Sequence, residues 1–346
     1  MTRRTPALVL ALALAATALA ACSTGPSGAK DGSATSPSTS AVANQGAFPV
    51  TIKHHFGETT IEKAPQRVVA IGSSDPDNVL ALGVVPVGIG KVTWGGNDHG
   101  TTPWFDAKLK QLGGQEPTLL DQTDAIPFDD IAKLAPDVIL ATYSGLTKAQ
   151  YDKLSKIAPV VAYPKDPWET TWQDSLEMDA EALGRTAQAR QLEQTTTQEL
   201  DAVKQQYPQI VGKTFIWAAL ATTDLSQVPY YTPDDERPRF LASIGMKNAP
   251  IIEKIAPQGV FYGQISAERA AELKSDVLVT YAVKDSDAAT YRSDKLIGQI
   301  PAIRSGHMFA ATDNTASLAA GVPTPLSVPY AVAHFVPNLV KAVDGQ

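Results

Sequence analysis

The segment LAPDVILA at residues 134–141 returns in altered form as LKSDVLVT at residues 273–280, 139 positions later. Each copy follows a short helical run, Phe128 to Leu134 in the first and Ala267 to Leu273 in the second, so the unit reads helix, stop, buried strand. A short run of branched apolar residues fits a strand covered on both faces, as in parallel sheets. A solenoid repeats every ~20–50 residues, so the wider separation points to two similar α/β lobes.

The rest of the chain keeps the alternation. A hairpin is expected at Val50 to His55 and Thr59 to Ile61 with Gly57 at its turn, then a strand from Arg67 to Gly72. Ser73, Ser74, Asp75 and Pro76 supply a cap and a first-turn proline for a helix to about Leu82, and Pro86 to Gly90 gives the next strand. Glu169 to Gln206 has no proline and one glycine, Gly184, and its apolar residues Leu176, Ala180, Leu183, Ala187, Leu192, Leu200 and Val203 recur at mostly helical spacing. It reads as one long helix, with Gly184 as the point of any kink. The fold class is therefore α/β: an N-terminal lobe at 48–168, an interlobe helix at 169–207 and a C-terminal lobe at 208–346. Two lobes on a stiff connector should open and close only slightly.

Ahead of the lobes, Arg3 and Arg4 precede an uncharged stretch from Ala7 to Ala21 that ends Leu19, Ala20, Ala21, Cys22. Residues 1–21 have the layout of a secretory signal peptide, and the apolar run is shorter than the ~20 residues a membrane span needs. The close resembles a bacterial lipobox, which makes Cys22 a lipidated first residue and 22–47 a disordered tether too poor in large apolar side chains to fold. The expected location is the extracytoplasmic face of the cell membrane, held there by the lipid. Without Arg3 and Arg4 the formal charge of −7 becomes −9, which argues against nucleic acid or an anionic lipid surface as partner. Cys22 is the single cysteine, so the lobes have no disulfide, thiolate metal site or cysteine nucleophile.

In doubly wound lobes ligands sit beyond the carboxyl ends of the strands, and those stretches here are rich in aromatics. Trp94 stands with Gly95 and Gly96, Tyr143 with Ser144 and Gly145, and Tyr163 and Trp168 follow Ala162. In the second half come Trp217, Tyr230, Tyr231, Arg237, Arg239, Tyr262 and Tyr281. Aromatic walls suit a bulky ligand that is part hydrocarbon and part amide, and an arginine fork suits chelating oxygens. The ligand-binding candidates are Trp94, Tyr143, Trp217, Tyr230, Tyr231, Arg237, Tyr262 and Tyr281. The same rings would also serve as caps on the two cores, and Arg237, next to Asp234, Asp235 and Glu236, would also serve to balance those acids.

Four segments, RVVAIGSSDPDNVLALGVVPVGIG (67–90), FDDIAKLAPDVILA (128–141), VFYGQISAERAAELKSDVLV (260–279) and IPAIRSGHMFAA (300–311), together resemble the iron-siderophore and cobalamin type of solute-binding protein that feeds ABC importers. The resemblance implies a class III receptor with two Rossmann-like lobes, a bridging helix, an interlobe cleft and no catalysis. It also implies carboxylates on equivalent first turns, Asp129 and Glu268, that dock on the permease subunits. Asp129 stands where the family usually has Glu, with Asp130 beside it as a rival. The expected ligand is a ferric siderophore, of hydroxamate type because the candidate cleft has many aromatics and few arginines; haem or cobalamin is the alternative. Iron enters only inside that complex, with no other cofactor and no protein metal site, and the receptor is expected to be a monomer. The five histidines are scattered or, like His54 and His55, adjacent on a strand and facing opposite sides. The competing classes are a lipoprotein interaction module and a hydrolase. For the latter, Gly72, Ser73, Ser74 lacks the second glycine of a nucleophile elbow, and GxGxxG and P-loop patterns are missing.

Overall fold

The computed structural model describes residues 46–257 and 259–346; the expected signal peptide, Cys22 and the tether up to residue 45 lie outside the described residues. β1 (Val50–His54) and β2 (Gly57–Ile61) pair as the expected antiparallel hairpin. β3 (Val68–Ala70), β4 (Gly88–Gly90), β5 (Thr118–Leu120), β6 (Val138–Ala141) and β7 (Val160–Ala162) form a parallel sheet in the order β5-β4-β3-β6-β7. Helices α1 (Asp75–Ala81), α2 (Pro103–Gln111), α3 (Phe128–Lys133) and α4 (Lys148–Leu154) join successive strands. Every residue of β3, β6 and β7 is buried, which explains their uninterrupted apolar runs. The order runs outward in both directions from β3, so the crevice between the carboxyl ends of β3 and β6 is the switch point where a ligand fits.

The connector is two helices and not the single one expected: α5 (Trp172–Leu183) and α6 (Thr186–Gln206). Gly184 takes the left-handed conformation at φ 67°, and its N–H caps the carbonyls of Ala180 and Glu181. A glycine in that conformation ends a helix outright, where a kink would have let it continue. α5 packs on α1 and stays with the first lobe, leaving α6 alone as the bridge.

The second lobe holds β8 (Thr214–Trp217), β9 (Gln227–Tyr231), β10 (Lys247–Asn248), β11 (Tyr262–Ser266), β12 (Val277–Tyr281) and β13 (Met308–Ala311). Four of them make a parallel sheet in the order β10-β8-β12-β13, while β9 and β11 pair antiparallel on their own. Helices α7 (Glu236–Ser243), α8 (Pro250–Ile255), α9 (Asp285–Ser293), α10 (Pro301–Arg304), α11 (Asn314–Gly321), α12 (Val328–His334) and α13 (Val336–Val343) complete it. The short helical run expected at Ala267 to Leu273 is a 3-10 helix over Ala267–Glu272.

The repeat has a common job. Asp137 accepts the N–H groups of Gln66 and Arg67, each at 2.9 Å, at the entrance to β3, and Asp276 accepts the N–H of Thr214 at 2.7 Å at the entrance to β8. Each aspartate ties the start of its own strand to the start of the neighbouring strand. One apolar cluster then runs through both lobes, from Leu80 and Leu176 through Leu200 to Trp217 and Phe335. A shared core of this kind opposes wide separation of the lobes.

Candidate functional site

The loops after β3, β4 and β6 face the loop after β8, the end of β9 and the end of β12 across a cleft made of adjoining hollows. One, of about 490 Å³, lies between Trp94 and the segment Ala219–Thr223 with Tyr231 and Tyr281. A second, of about 310 Å³, is walled by Ile71, Ile89, Trp104 and Phe105, with Lys91, Gln122 and Asp77 as its polar groups. A third, of about 390 Å³, lies among Tyr143, Trp168, Phe261 and Tyr262. Arg237 borders all three.

Arg237 is placed by the first turn of α7. Asp235, the N-cap, accepts the backbone N–H of Arg237 at 2.8 Å and holds its Nη1 at 2.9 and 3.1 Å. Nε donates to the Tyr281 hydroxyl at 2.8 Å, and the Tyr231 ring lies 4.1 Å from the guanidinium carbon. Nη2 has no partner among the described residues, so its two protons are available to the cleft. Burial works against the Arg237 charge, but Asp235 and the tyrosines Tyr281, Tyr231 and Tyr143 outweigh it and hold the pKa well above the usual range. Burial raises the Asp235 carboxyl, with Arg237 pulling the other way. Arg239 is turned elsewhere: it bonds Glu236 at 3.1 Å and the Glu169 carbonyl at 2.7 Å, a lobe-to-connector contact.

Aromatic rings meet edge to face around this centre. Trp94, 43% exposed, approaches Tyr281 at 5.5 Å, Tyr231 meets Tyr262 at 5.5 Å, and Tyr143 meets Trp168 at 5.7 Å. Trp168 holds φ 64°, a conformation a bulky side chain adopts only when its surroundings impose it. Its ring lies over Gly145, where a Cβ would run into the indole. The glycine after Ser144 is there to seat a tryptophan.

Of the candidates, Trp94, Tyr143, Tyr231, Arg237, Tyr262 and Tyr281 come together at the cleft. Trp217 and Tyr230 do not, and both are corrected to core residues. β9 alternates, so Tyr231 faces the cleft while Tyr230 turns into the lobe, 2% exposed, and donates to the Ile255 carbonyl at 3.1 Å. Trp217, the last residue of β8, is 1% exposed and stacks on Phe335 at 5.2 Å and 13°. Tyr163 likewise packs on Phe56 and donates to the Leu146 carbonyl at 3.0 Å. Reasoning from strand ends missed Trp104 and Phe105, in the first turn of α2, and Asp77, in the first turn of α1, because it looked to aromatics and arginines in the loops and not to helix starts.

Asp129 and Glu268 both lie exposed in the first turns of short helices, on α3 and on the 3-10 segment. Their neighbours are engaged, Asp130 with Lys133 at 2.7 Å and Arg269 with Glu272 at 2.8 Å. Among the described residues neither Asp129 nor Glu268 forms an ion pair.

Residues 68–315 match the family model described as periplasmic binding protein. The chain is similar to the probable siderophore-binding lipoprotein YfiY of Bacillus subtilis, 25% identical over 284 residues covering 79% of this chain and 83% of that protein. It is similar also to the ferric enterobactin-binding periplasmic protein FepB of Escherichia coli O6:H1, 25% identical over 292 residues covering 78% and 85%. Among solved structures, Streptococcus pneumoniae TIGR4 PiaA in complex with ferrichrome superposes with a TM-score of 0.81 at 36% identity, covering 86% of this chain and 99% of that one. With its paired parallel sheets, its helical connector and a cleft at the switch point of the first sheet, the chain belongs to the periplasmic binding protein family.

Proposed function

We propose that the chain is a lipid-anchored extracytoplasmic receptor that captures a ferric hydroxamate siderophore and hands it to an ABC permease, without catalysing a reaction. The observation that carries the ligand class is the charge of the cleft. Its one central guanidinium is already matched by Asp235 at 2.9 Å, and Lys91 faces the charge of Asp121, whose carboxyl it helps to hold below the usual range. Three hydroxamates, each singly charged, cancel the charge of Fe(III), whereas three catecholates leave a trianion. A near-neutral, aromatic-walled cleft suits the first and gives the second no compensation for its lost hydration.

In this reading the free Nη2 of Arg237 takes the chelating oxygens, while Trp94, Tyr143, Trp168, Tyr231, Tyr262 and Tyr281 cover the carbon skeleton. The iron stays coordinated by the siderophore. PiaA, the structural relative described above, holds ferrichrome, which is a ferric tris-hydroxamate, and this supports the same class here. Asp129 and Glu268, one on each lobe and unpaired, are the acids offered to the permease. Cys22 supplies the anchor.

Tryptophan fluorescence titration tests the ligand class, since Trp94 and Trp168 line the cleft. Ferrichrome or ferric desferrioxamine should quench at low concentration; ferric enterobactin, haem and cobalamin should need far more. Tight quenching by the catecholate, with none by the hydroxamates, would overturn the proposal.

A further inference from the structure

The walls of the cleft belong to different lobes, and a buried acid joins them. Asp77 on α1 is 8% exposed, and its Oδ2 accepts the indole N–H of Trp104 at 2.6 Å and the hydroxyl of Thr324 at 3.0 Å. Thr324 lies in the turn between α11 and α12 of the second lobe. Among the described residues, this is the one side chain to side chain hydrogen bond from residues 48–168 to residues 208–346. Trp104 reaches the same turn by packing, with its ring 5.2 Å from that of Tyr330 on α12.

The far side of this contact is rigid. The Thr324 hydroxyl accepts the N–H of Ser327 at 3.0 Å, while the N–H of Thr324 donates to the Ser327 hydroxyl at 2.8 Å. The one proton of the Thr324 hydroxyl therefore points at Asp77 from a fixed turn. On the near side, α1 is held behind by Ser74 and Asn78, which bond Ser175 on α5 at 2.8 and 3.0 Å. Asp77 Oδ1 makes no hydrogen bond among the described residues, and Asp77 borders the hollow that Arg237 also borders.

We propose that Asp77 is a positioning residue of the cleft: by taking Thr324 and Trp104 on one carboxyl oxygen, it sets the angle between the lobes and seats an aromatic wall of the ligand site. The effect on affinity rests on the proposed function; the effect on Trp104 does not. Burial pushes the Asp77 carboxyl up to about 7, against the pull of both donors. Lys91 and Arg237 share its hollow, and the nearby acids are Asp75 at the start of α1 and Asp179 on α5. None of these charges offsets the cost of burying the Asp77 carboxylate.

The sign follows from the raised value. Lobes in contact favour neutral Asp77, and lobes apart expose it and return it toward an ordinary carboxyl. The contact is thus at full strength below about pH 4, weakens as pH rises, and levels off above about 7.

Three variants of the intact protein test this by indole NMR and by binding of ferric desferrioxamine. The Trp104 indole resonance, assigned with Trp104→Phe, should titrate with a midpoint near 7 in the native protein and stay fixed in Asp77→Asn, whose amide oxygen still accepts both bonds. Native affinity should weaken about three- to tenfold between about pH 5.5 and about pH 8.5. Asp77→Asn should not change with pH and should bind at least as tightly as the native protein at both values, and Asp77→Ala should likewise be indifferent to pH and bind about tenfold more weakly than Asp77→Asn. A Trp104 resonance indifferent to pH, an Asn variant that keeps the native slope, or an Ala variant that binds like Asp77→Asn would each overturn the assignment. If the native protein binds no ferric hydroxamate, the ligand class fails, while the Trp104 titration still decides for or against Asp77.

Discussion

Replacing Arg237 by Gln should damage folding and binding by separable amounts. The pair it breaks is buried, with the Asp235 side chain 1% exposed and that of Arg237 22% exposed. Without the guanidinium, Asp235 keeps only the backbone N–H of residue 237, at 2.8 Å, as a hydrogen-bond donor. Stripping the partner from a buried charge costs about 3–5 kcal/mol. Asp235 has an escape, because burial already raises its pKa and it can take up a proton. The loss should therefore lie near 3 kcal/mol at pH 8 and shrink toward pH 5, as the orphaned carboxyl neutralises.

A second change separates the effects. In Arg237→Gln with Asp235→Asn no carboxylate is stranded, and Asn still caps α7, so urea denaturation should return to within about 1 kcal/mol of the native protein. Ligand binding should not return. The two free protons of Nη2 are gone in both variants, and charge-assisted hydrogen bonds to a chelate oxygen contribute about 1.5–3 kcal/mol, so affinity should fall about 10- to 150-fold in each. Calorimetric titration with ferrichrome reads the second effect. Native affinity in the double variant would refute the place given to Arg237, and native stability of the single variant at pH 8 would refute the account of the ion pair.

Trp168→Gly should separate stability from binding in another way: relief of the left-handed backbone, about 1–2 kcal/mol, roughly offsets the lost edge contact with Tyr143 at 5.7 Å, so the melting temperature should hold while ferrichrome binding weakens several-fold. Asp75 and Asp179 are neighbouring buried carboxyls, and each keeps one oxygen without a donor, Asp75 Oδ2 and Asp179 Oδ1, so a proton shared between them is expected; burial, then the charge of Asp75 in the case of Asp179, raises both. Like Asp77 and Glu236, they make the folded state hold protons that the unfolded chain releases above about pH 4. Calorimetry should accordingly show a lower melting temperature at pH 8 than at pH 5, and Asp179→Asn, which supplies a permanent donor to Asp75, should reduce that difference; an unchanged slope would count against the shared proton. Glu268→Lys should leave ferrichrome affinity intact while lowering uptake by cells carrying the cognate permease, and a loss of affinity would place Glu268 in the ligand site.

The architecture was legible because strand burial is written into composition. Val138 to Ala141 and Val277 to Val279 are apolar without interruption since both faces are covered, and the aspartate before each is fixed by the strand entrance it ties. Gly184 was visible but its conformation was not, because a glycine tolerated within a helix and one that ends it look alike in sequence. The aromatic set was only partly legible. Tyr230 and Tyr231 are indistinguishable by type, and only the pairing of β9 with β11 decides which one leaves the core. Trp104 and Asp77 escaped because the lobe contact that uses them depends on Thr324, 247 positions away from Asp77.

That contact bears on how a receptor with a single central arginine discriminates. Under the proposed function the ligand arrives with its iron already enclosed, so the protein cannot select by bonding the metal. What remains is shape and net charge. Shape requires a fixed distance between Trp94 and Trp168 on one lobe and Tyr231, Tyr262 and Tyr281 on the other, which the shared core and Asp77 maintain. Charge selection requires that the cleft carry no surplus cation, and Asp235 cancels Arg237 within 3.1 Å while leaving Nη2 directed to the ligand. A trianionic chelate would thus lose its hydration without gaining a counter-charge, whereas a neutral one loses little and still finds the donor. Adding a lysine to this wall, and not removing an acid from the surface, is the change that should let the cleft accept a catecholate.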